Sequence, residues 1–374
     1  MLPVDAKLIS VDDHVIEHRD VWQDRLADRY KADGPRIEMR DGIPIWVYEG
    51  RDFPPLGLDA VAGHDPTEFA LTPKRFAEMR PGCYDPKARL SDMDEDGVTA
   101  QLCFPQFPRF AGQTFAEAQD KELARVCVQA WNDFMIDEWC ATDPLRFIPL
   151  AIVPLWDPKL AAAEIERVAP RGARAITFTE NPVPLGLPSF WSGHWDPMFS
   201  ALEDAGMPMC LHIGSSSKIT TPSADVAIAV PLSLMALNSM TACSDLVFSP
   251  VFDRHPRLRV VFSEGGSGWA PYLLEKMDYT WERHRHYNEI NRDQRPSEVF
   301  DQHIWVAHIT DQVGTENRHR IGIHKMLWES DYPHSDSLWP QSRAVVAEHL
   351  KDVPDEEARM LVELNARSLF RFHG

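Results

Sequence analysis

The sequence predicts a (β/α)₈ barrel, in which eight parallel strands alternate with helices around a closed ring. Eight short apolar runs occur in order, each followed by a helix or a helix-length segment. These runs are apolar throughout, as expected for strands of a parallel sheet that is buried on both faces. Polar side chains gather where the runs end, which is where barrels carry their functional groups.

The predicted elements extend along all 374 residues, and we interpret 1–374 as one barrel domain. Strands are predicted at 7–11, 99–105, 147–154, 173–179, 209–214, 258–264, 304–309 and 325–328. Helices are predicted at 90–97, 115–142, 159–168, 197–205, about 225–242, 271–286, 340–350 and 355–370. Gly97 and Gly206 stand at expected helix C-caps, where the chain turns into the left-handed conformation.

Residues 31–89 interrupt this alternation after the first strand. They are rich in glycine, proline and charge, with one aromatic stretch at 45–48. This pattern predicts an inserted hairpin and loop over the barrel mouth, not a separate domain. The sequence has no G-x-G-x-x-G after an early strand, no P-loop and no G-x-S-x-G, so nucleotide-binding folds and serine hydrolases are not indicated.

The composition narrows the class of protein further. The formal net charge is −19, from 57 acidic and 38 basic residues, and no basic patch indicates nucleic-acid binding. The six cysteines form no C-x-x-C pair, and no run approaches the roughly 18 apolar residues of a membrane span. No signal-peptide pattern is visible at residue 1 onward. We therefore expect a cytoplasmic enzyme that acts on a small molecule, without a nucleic-acid or membrane partner.

Two polar residues at the end of the first strand form the first part of a predicted metal site. Asp12 and His14 are two residues apart, so both side chains point the same way from an extended segment. His212 on the fifth strand and Asp331 after the eighth complete a set of four ligands. Two imidazoles and two carboxylates suit one Zn²⁺ or Mn²⁺ ion, with Fe²⁺ also fitting, and leave a position open for water or substrate.

Each of these residues also has an ordinary structural explanation. An Asp-x-His pair is common in turns and caps, and a histidine such as His212 in an apolar strand is often a core residue. Asp331 precedes Tyr-Pro, a frequent turn sequence. We favour one shared site because all of these residues lie at strand ends.

Further charged residues near the strand ends are candidates for catalysis or substrate binding. Glu264 ends the sixth strand beside two glycines and is a candidate fifth ligand, base or partner of His212. Glu17 is either a second functional carboxylate or an exposed loop residue. Arg109, in the loop after the second strand, either clamps a substrate carboxylate or is a solvated surface residue.

Aromatic residues are also frequent near the predicted mouth. Phe104 and Trp195 are candidates for lining a pocket for a planar substrate. About half of the aromatic residues in this region are expected to pack helices against the barrel instead.

The order of these motifs resembles the amidohydrolase-related family, which includes aminocarboxymuconate-semialdehyde decarboxylase and γ-resorcylate decarboxylase. The resemblance rests on Asp12-x-His14, His212, the glycine-rich end of the sixth strand and the Ser-Asp-Tyr-Pro element at Asp331, and it covers nearly the whole chain. It implies one divalent ion held by the strand-1 pair, the strand-5 histidine and the strand-8 aspartate, and a homodimer. Asp12-x-His14 is similar to the Glu-x-His of the resorcylate enzyme, whereas Glu264 stands where those relatives usually have a histidine.

The resemblance implies a non-oxidative decarboxylase, a carbon–carbon lyase acting on an aromatic or enol carboxylic acid. The ion would bind the substrate carboxylate, Asp331 would carry a proton to the ring carbon, and Glu264 or a histidine would shuttle protons. The alternative is a hydrolase of an amide, ester, lactone or C–C bond, in which the ion generates hydroxide and Asp331 is the base. A third class is a non-catalytic barrel, against which the complete ligand set argues.

Overall fold

A ring of parallel strands organises the chain in the computed structural model, which describes residues 2–40, 42–71, 75–288, 290 and 292–374. Parts of the predicted domain and its insertion, at 1, 41, 72–74, 289 and 291, lie outside the described residues. The described strands are β1 (Leu8–Val15), β2 (Arg36–Arg40), β3 (Ile43–Tyr48), β4 (Arg51–Phe53), β5 (Val98–Pro105), β6 (Phe147–Ile148), β7 (Leu150–Ala151), β8 (Ala175–Thr179), β9 (Met209–His212), β10 (Val260–Ser263), β11 (Ile304–His308) and β12 (Met326–Trp328).

The ring runs β1-β5-β6 and continues as β7-β8-β9-β10-β11-β12, with every described pair parallel. β6 and β7 are two halves of one strand, interrupted at Pro149, which has no N–H to give to the ladder. The eight predicted strands therefore all occur, each shorter than or offset from its predicted bounds by a few residues.

The ring closes between β1 and the segment after β12. Asp331 N donates to Asp12 O at 2.9 Å, and His14 N donates to Tyr332 O at 2.7 Å. These two bonds stand where ladder bonds between a first and an eighth strand would be. The predicted (β/α)₈ barrel is confirmed.

Helices cover the outside of the ring and follow the strands in order. The described helices are α1 (Asp20–Gln23), α2 (Asp28–Lys31), α3 (Pro86–Asp96), α4 (Gln113–Ala116), α5 (Lys121–Phe134), α6 (Pro158–Val168), α7 (Asp196–Ala205), α8 (Ala229–Ser233), α9 (Ala236–Phe248), α10 (Val251–Arg254), α11 (Ala270–His284), α12 (Pro296–His303), α13 (Gln312–Glu316), α14 (Arg318–Ile321), α15 (Ser342–His349), α16 (Asp355–Arg359) and α17 (Asn365–Phe370). Gly97 and Gly206 adopt the left-handed conformation at the ends of α3 and α7, as predicted. None of the described helices is both long and apolar enough to cross a bilayer.

Two predicted helices are divided in the structure, and a third, predicted at 355–370, contains a π-helical turn at Met360–Leu364 between α16 and α17. The helix predicted at 115–142 begins anew at α5, because the Asp120 carboxylate accepts the N–H groups of Glu122 and Leu123 and so caps a fresh N-terminus. The helix predicted at 225–242 is replaced by α8 and α9, which extends to Phe248.

The interior of the ring is a packed core and not a channel. Side chains from successive strands fill it, including Ile9, Leu102, Leu150, Cys210 and Val261. A second apolar layer lies between the strands and the helices. Because the interior is filled, functional side chains can gather only at the ends of the strands.

The insertion after β1 forms a small antiparallel sheet of β2, β3 and β4. The Trp46 ring of β3 lies 4.7 Å from the Phe107 ring, which follows β5. Further along, the N–H groups of Val61 and Ala62 donate to the carbonyl of Pro333, two residues after Asp331. The insertion therefore contacts the carboxyl ends of two barrel strands.

Candidate metal centre

Four strands bring polar side chains to one point at the carboxyl end of the barrel. Asp12 and His14 lie on β1, whose pairing with β5 is irregular between Ser10 and Asp13. His212 is the last residue of β9, and Glu264 directly follows β10. Such an irregularity in pairing re-aims side chains and is common beside functional sites.

Two of the site residues adopt a backbone conformation that non-glycine residues rarely take. Glu264 has φ of 59° and Asp331 has φ of 53°. The left-handed region costs a non-glycine residue roughly 1–2 kcal/mol, so surrounding contacts must hold it. Glu264 N donates to Glu329 Oε2 at 3.1 Å, and Asp331 N donates to Asp12 O. Strain held in this way is typical of functional sites.

The side-chain atoms converge closely. His14 Nε2 lies 3.4 Å from Asp12 Oδ1 and 3.3 Å from Asp331 Oδ1. His212 Nε2 lies 3.4 Å from Asp12 Oδ2 and 3.1 Å from Glu264 Oε2. The two Nε2 atoms are 3.3 Å apart. Asp12, His212 and Glu264 form one close group with His14, and Asp331 belongs to a second group that shares His14, so His14 is the common centre of the site.

The hydrogen-bonding state of these atoms fits a divalent cation. His212 Nδ1 lies 2.7 Å from the carbonyl oxygen of Ile213, so it donates there and leaves the lone pair on Nε2. Both carboxylate oxygens of Asp12 and both of Asp331 are buried without a hydrogen-bond partner among the described residues. Burying carboxylates without partners is costly, and a cation beside His14 would pair with them.

The pKa shifts of the site residues also fit a bound divalent cation. Burial lowers the pKa of His212 to about 3 and holds the pKa of His14 well below its ordinary value, so both imidazoles are neutral, the form that binds metals. Burial, and then repulsion from neighbouring carboxylates, raises the pKa of Asp12 and of Glu264. A divalent ion would oppose both causes at once.

The predicted substrate-binding residues occupy three different positions. Phe104 is fully buried, with its ring 5.0 Å from the His212 imidazole, so it packs beneath the site. Arg109 forms an ion pair with Glu117, and its Nη1 donates to Ser217 Oγ at 3.0 Å. Both side chains are thus engaged by other residues of the protein.

Trp195 requires a correction, because the structure places it in the apolar layer between the strands and the helices. Its ring packs against Phe178 at 5.0 Å, and its Nε1 donates to the carbonyl of Pro188. The sequence could not show which side of the barrel wall this tryptophan would face.

Glu17 is buried, not an exposed loop carboxylate. Its Oε1 accepts from Gln106 N at 3.0 Å and Trp131 Nε1 at 2.9 Å, and its Oε2 accepts from Phe107 N at 2.8 Å. These three bonds fix the loop after β5, so Glu17 shapes the wall of the site.

His334 and Phe110 contact the site but were not predicted to do so. The His334 ring stacks on His14 with centroids 3.7 Å apart, and His334 Nδ1 lies 3.0 Å from Asp331 Oδ1. The Phe110 ring lies 4.0 Å from the His212 ring. The signal for His334 was its position three residues after Asp331, on the same short loop.

Two adjoining cavities open beside these residues. The inner chamber, of about 190 Å³, is lined by Glu264, Asp331 and His334 among others. The outer chamber, of about 420 Å³, extends beneath the insertion. Four residues line both chambers: Leu56, Asp59, Phe110 and Gly214.

A (β/α)₈ barrel with histidines and carboxylates converging at its strand ends defines a class of barrels built to bind a catalytic metal ion. The chain belongs to the amidohydrolase family, whose sequence pattern matches residues 18–372. The family predicted from the motifs is confirmed.

The relatives of known activity include decarboxylases. The chain is 22% identical over 313 residues to γ-resorcylate decarboxylase of Polaromonas sp., covering 78% of this chain and 92% of the relative. Among solved structures, an amidohydrolase from Mycobacterium avium subsp. paratuberculosis is 24% identical, with a TM-score of 0.76 and coverage of 98% of this chain and 100% of that one. A 5-carboxyvanillate decarboxylase from Novosphingobium aromaticivorans, complexed with manganese and 4-hydroxy-3-methoxy-5-nitrobenzoic acid, is 19% identical, with a TM-score of 0.67 and coverage of 98% and 96%.

Proposed function

We propose that this protein is a metal-dependent, non-oxidative decarboxylase of an aromatic or enol carboxylic acid. The observation that carries the proposal is that Asp12, His212 and Asp331 each place a ligand atom within 3.4 Å of His14 Nε2, while the carboxylate oxygens of both aspartates have no hydrogen-bond partner among the described residues. We assign these four residues as ligands of one divalent ion, Zn²⁺ or Mn²⁺. The decarboxylase relatives, and the manganese in the Novosphingobium structure, support this assignment.

The charge of the site explains why an ion is needed. Asp331 and the partly buried Glu264 line the inner chamber, and Asp12 and Glu329 are buried nearby. An anionic substrate would be repelled by this cluster, and Arg109 is already paired with Glu117. When bound, the ion supplies the positive charge that attracts the substrate carboxylate and stabilises negative charge as the bond breaks.

The chain's own residues then handle the proton. His334 Nδ1 lies 3.0 Å from Asp331 Oδ1, and Asp331 delivers a proton to the substrate carbon that bears the carboxylate. The C–C bond to the carboxylate then breaks, its electron pair restores the conjugation of the ring, and carbon dioxide leaves. His334 then returns a proton to Asp331, with Glu264 of the same chamber as the second candidate, while the Phe104 and Phe110 rings exclude water from the histidine pair.

Three broader features belong to the same proposal. The insertion at 31–89 is a cover of the barrel mouth within one domain, which its contacts with Phe107 and Pro333 support. We also propose that the enzyme is a homodimer, which the family resemblance suggests, and that it acts in the cytoplasm, as expected above.

Product analysis with elemental analysis tests the proposal. The protein, loaded with Zn²⁺ or Mn²⁺, is incubated with hydroxybenzoates labelled with ¹³C in the carboxyl group, in water enriched in ¹⁸O. We expect about one bound ion per chain, released ¹³CO₂ and no ¹⁸O in the organic product. Entry of ¹⁸O into a product carboxylate would establish the alternative, hydrolysis by a metal-activated water, and folding without metal or turnover would indicate a non-catalytic barrel.

A pair of histidine variants tests the ligand assignment. His212→Ala is expected to lose the metal and the activity while the barrel stays folded. His303→Ala is the matched control, because His303 is also buried and its Nδ1 also bonds a backbone carbonyl, that of Leu258 at 2.8 Å, far from the site on α12. Metal retained in the first variant, or lost in the second, would contradict the assignment.

A further inference from the structure

The inner chamber alone is small for a substrate site. Its volume of about 190 Å³ lies below the range of roughly 300–1,000 Å³ in which small-molecule sites usually fall. The outer chamber, at about 420 Å³, falls inside that range. Since Phe110 and Leu56 line both chambers, a ligand bound at the metal ligands can extend past them.

The walls of the outer chamber are mainly apolar. Ile16, Trp46, Phe53, Ala60 and Met79 line it; Ile16 directly follows β1, and the other four belong to the insertion. The remaining wall comes mainly from the loop after β5, from Gln106 to Thr114. The shape of this chamber is therefore set by the segment 31–89 and this loop, and not by the metal centre.

Most polar groups in the outer chamber are already bonded within the protein. Both oxygens of Glu17 accept N–H groups, Thr114 Oγ1 donates to the carbonyl of Phe107 at 3.0 Å, and Gln113 Oε1 accepts from Ala111 N at 2.8 Å. Arg109 is held by Glu117 and Ser217 through its Nη atoms, and its buried Nε is a polar atom of this wall without a partner among the described residues. A ligand group entering here gains by burying apolar surface, and it has few free polar partners.

We infer that the substrate carries an extended apolar substituent that occupies the outer chamber while its carboxylated ring lies in the inner chamber. This inference rests on the proposed function for the ring and adds the substituent. Phe110 is the specificity-determining residue between the two chambers, because its ring stacks near His212 on one side and lines the outer chamber on the other.

A series of alkylated acids tests this inference with the metal-loaded enzyme. The substrates are 2-hydroxybenzoates with methyl, propyl, pentyl or heptyl groups at positions 3, 4, 5 or 6, and the ligands are the corresponding alkylphenols. For at least one ring position, we expect kcat/KM and the calorimetric affinity of the phenol to rise about threefold to fourfold per methylene until the chamber is full. Binding should saturate at one phenol per chain.

Two variants locate the substituent. Ala60→Phe narrows the outer chamber and should lower the ratio of kcat/KM for the pentyl acid to that for the methyl acid. Ala70→Phe is the control, since Ala70 is an exposed residue of the same insertion that does not line the chamber, and its ratio should equal that of the wild type. If Ala60→Phe does not fold, the chain-length series with the wild type still decides the matter.

The outcomes separate the two proposals. Turnover of the unsubstituted acid with no gain from any chain, at any ring position, would overturn the extended substrate and leave the decarboxylase intact. Length-dependent binding of the phenols without turnover of any acid would support the chamber and overturn the reaction. Equal losses in Ala60→Phe and Ala70→Phe would show that the chamber does not hold the chain.

Discussion

Asp12 and Asp13 are neighbours on β1, and both are fully buried, but they differ in their hydrogen bonds: Asp13 Oδ2 has no partner among the described residues, whereas Asp13 Oδ1 has several. Asp13 Oδ1 accepts from Gln101 Nε2 at 3.0 Å, from Tyr332 N at 3.2 Å and from the Ser330 hydroxyl. Neither oxygen of Asp12 has a hydrogen-bond donor among the described residues.

The difference separates two uses of a buried carboxylate. One that accepts several N–H and O–H groups, as Asp13 and Glu17 do, holds segments of the chain together. One that faces lone pairs of histidines and other carboxylates is left for a cation. Burial alone does not distinguish these uses, whereas the direction of the neighbouring donors does.

Asp12→Asn should have the largest effect on function and little on stability. We expect metal affinity and turnover to fall by more than about 10²-fold, since even an outer partner of a ligand is worth 10- to 100-fold. The metal-free protein should keep its melting temperature, because no hydrogen bond to the Asp12 side chain is lost. Metal analysis and thermal unfolding of the same preparation measure the metal content and the melting temperature. Wild-type metal content would contradict the assignment of Asp12 as a ligand.

Glu264→Gln probes the carboxylate that replaces the expected histidine. We expect turnover to fall on the order of 10²-fold with the metal retained, as for loss of a proton-transfer group. Loss of metal as well would indicate that Glu264 is a ligand, like Asp12. Unchanged turnover would place Glu264 with the structural carboxylates instead.

Asp13→Asn is the structural counterpart of Asp12→Asn. The amide group removes acceptor capacity from a buried position that faces Gln101, Ser330 and Tyr332. We expect the free energy of unfolding to fall by about 1–3 kcal/mol, with the metal still bound. Chemical denaturation of both aspartate variants side by side checks this. Equal stabilities would contradict the claim that Asp13, and not Asp12, holds the fold together.

Glu17 gives the smallest effect, a change in the pH dependence of stability. Burial raises its pKa from 4.5 to about 7, against the opposing effect of its three N–H donors. The folded protein therefore keeps a proton that the unfolded chain releases between about pH 4.5 and 7, so stability falls as the pH rises through that interval. Urea unfolding between about pH 5 and 8 should show a steeper decline for the wild type than for Glu17→Gln, and parallel curves would contradict the raised pKa.

Much of the fold could be predicted because its signals are local. Each barrel strand is a short apolar run, and α3 and α7 end at glycines. The position of Asp12, His14 and His212 at strand ends then followed from the rule that barrel strands end on one face. Their roles as ligands remain a prediction until metal is measured.

What could not be predicted depends on contacts between distant segments. Glu17 is buried among donors far away in the sequence, including Trp131 Nε1, 114 residues away. Phe110 and Trp195 are both aromatic residues in loops after strands, yet one faces the histidines and the other faces the helices. No local sequence pattern predicts which way each ring faces, because the geometry of the loop decides it.

The junction between β1 and the segment after β12 has a consequence for the order in which the metal site forms. Asp12 and His14 are synthesised among the first residues described here, whereas Asp331 follows the last barrel strand, and Ser330 N reaches Ser10 Oγ across 320 residues of chain. If Asp331 is a ligand as proposed, a nascent chain that has not yet produced β12 would present only part of the ligand set and would hold an ion weakly. Tight binding of the ion would then coincide with closure of the ring, at the end of synthesis of the barrel.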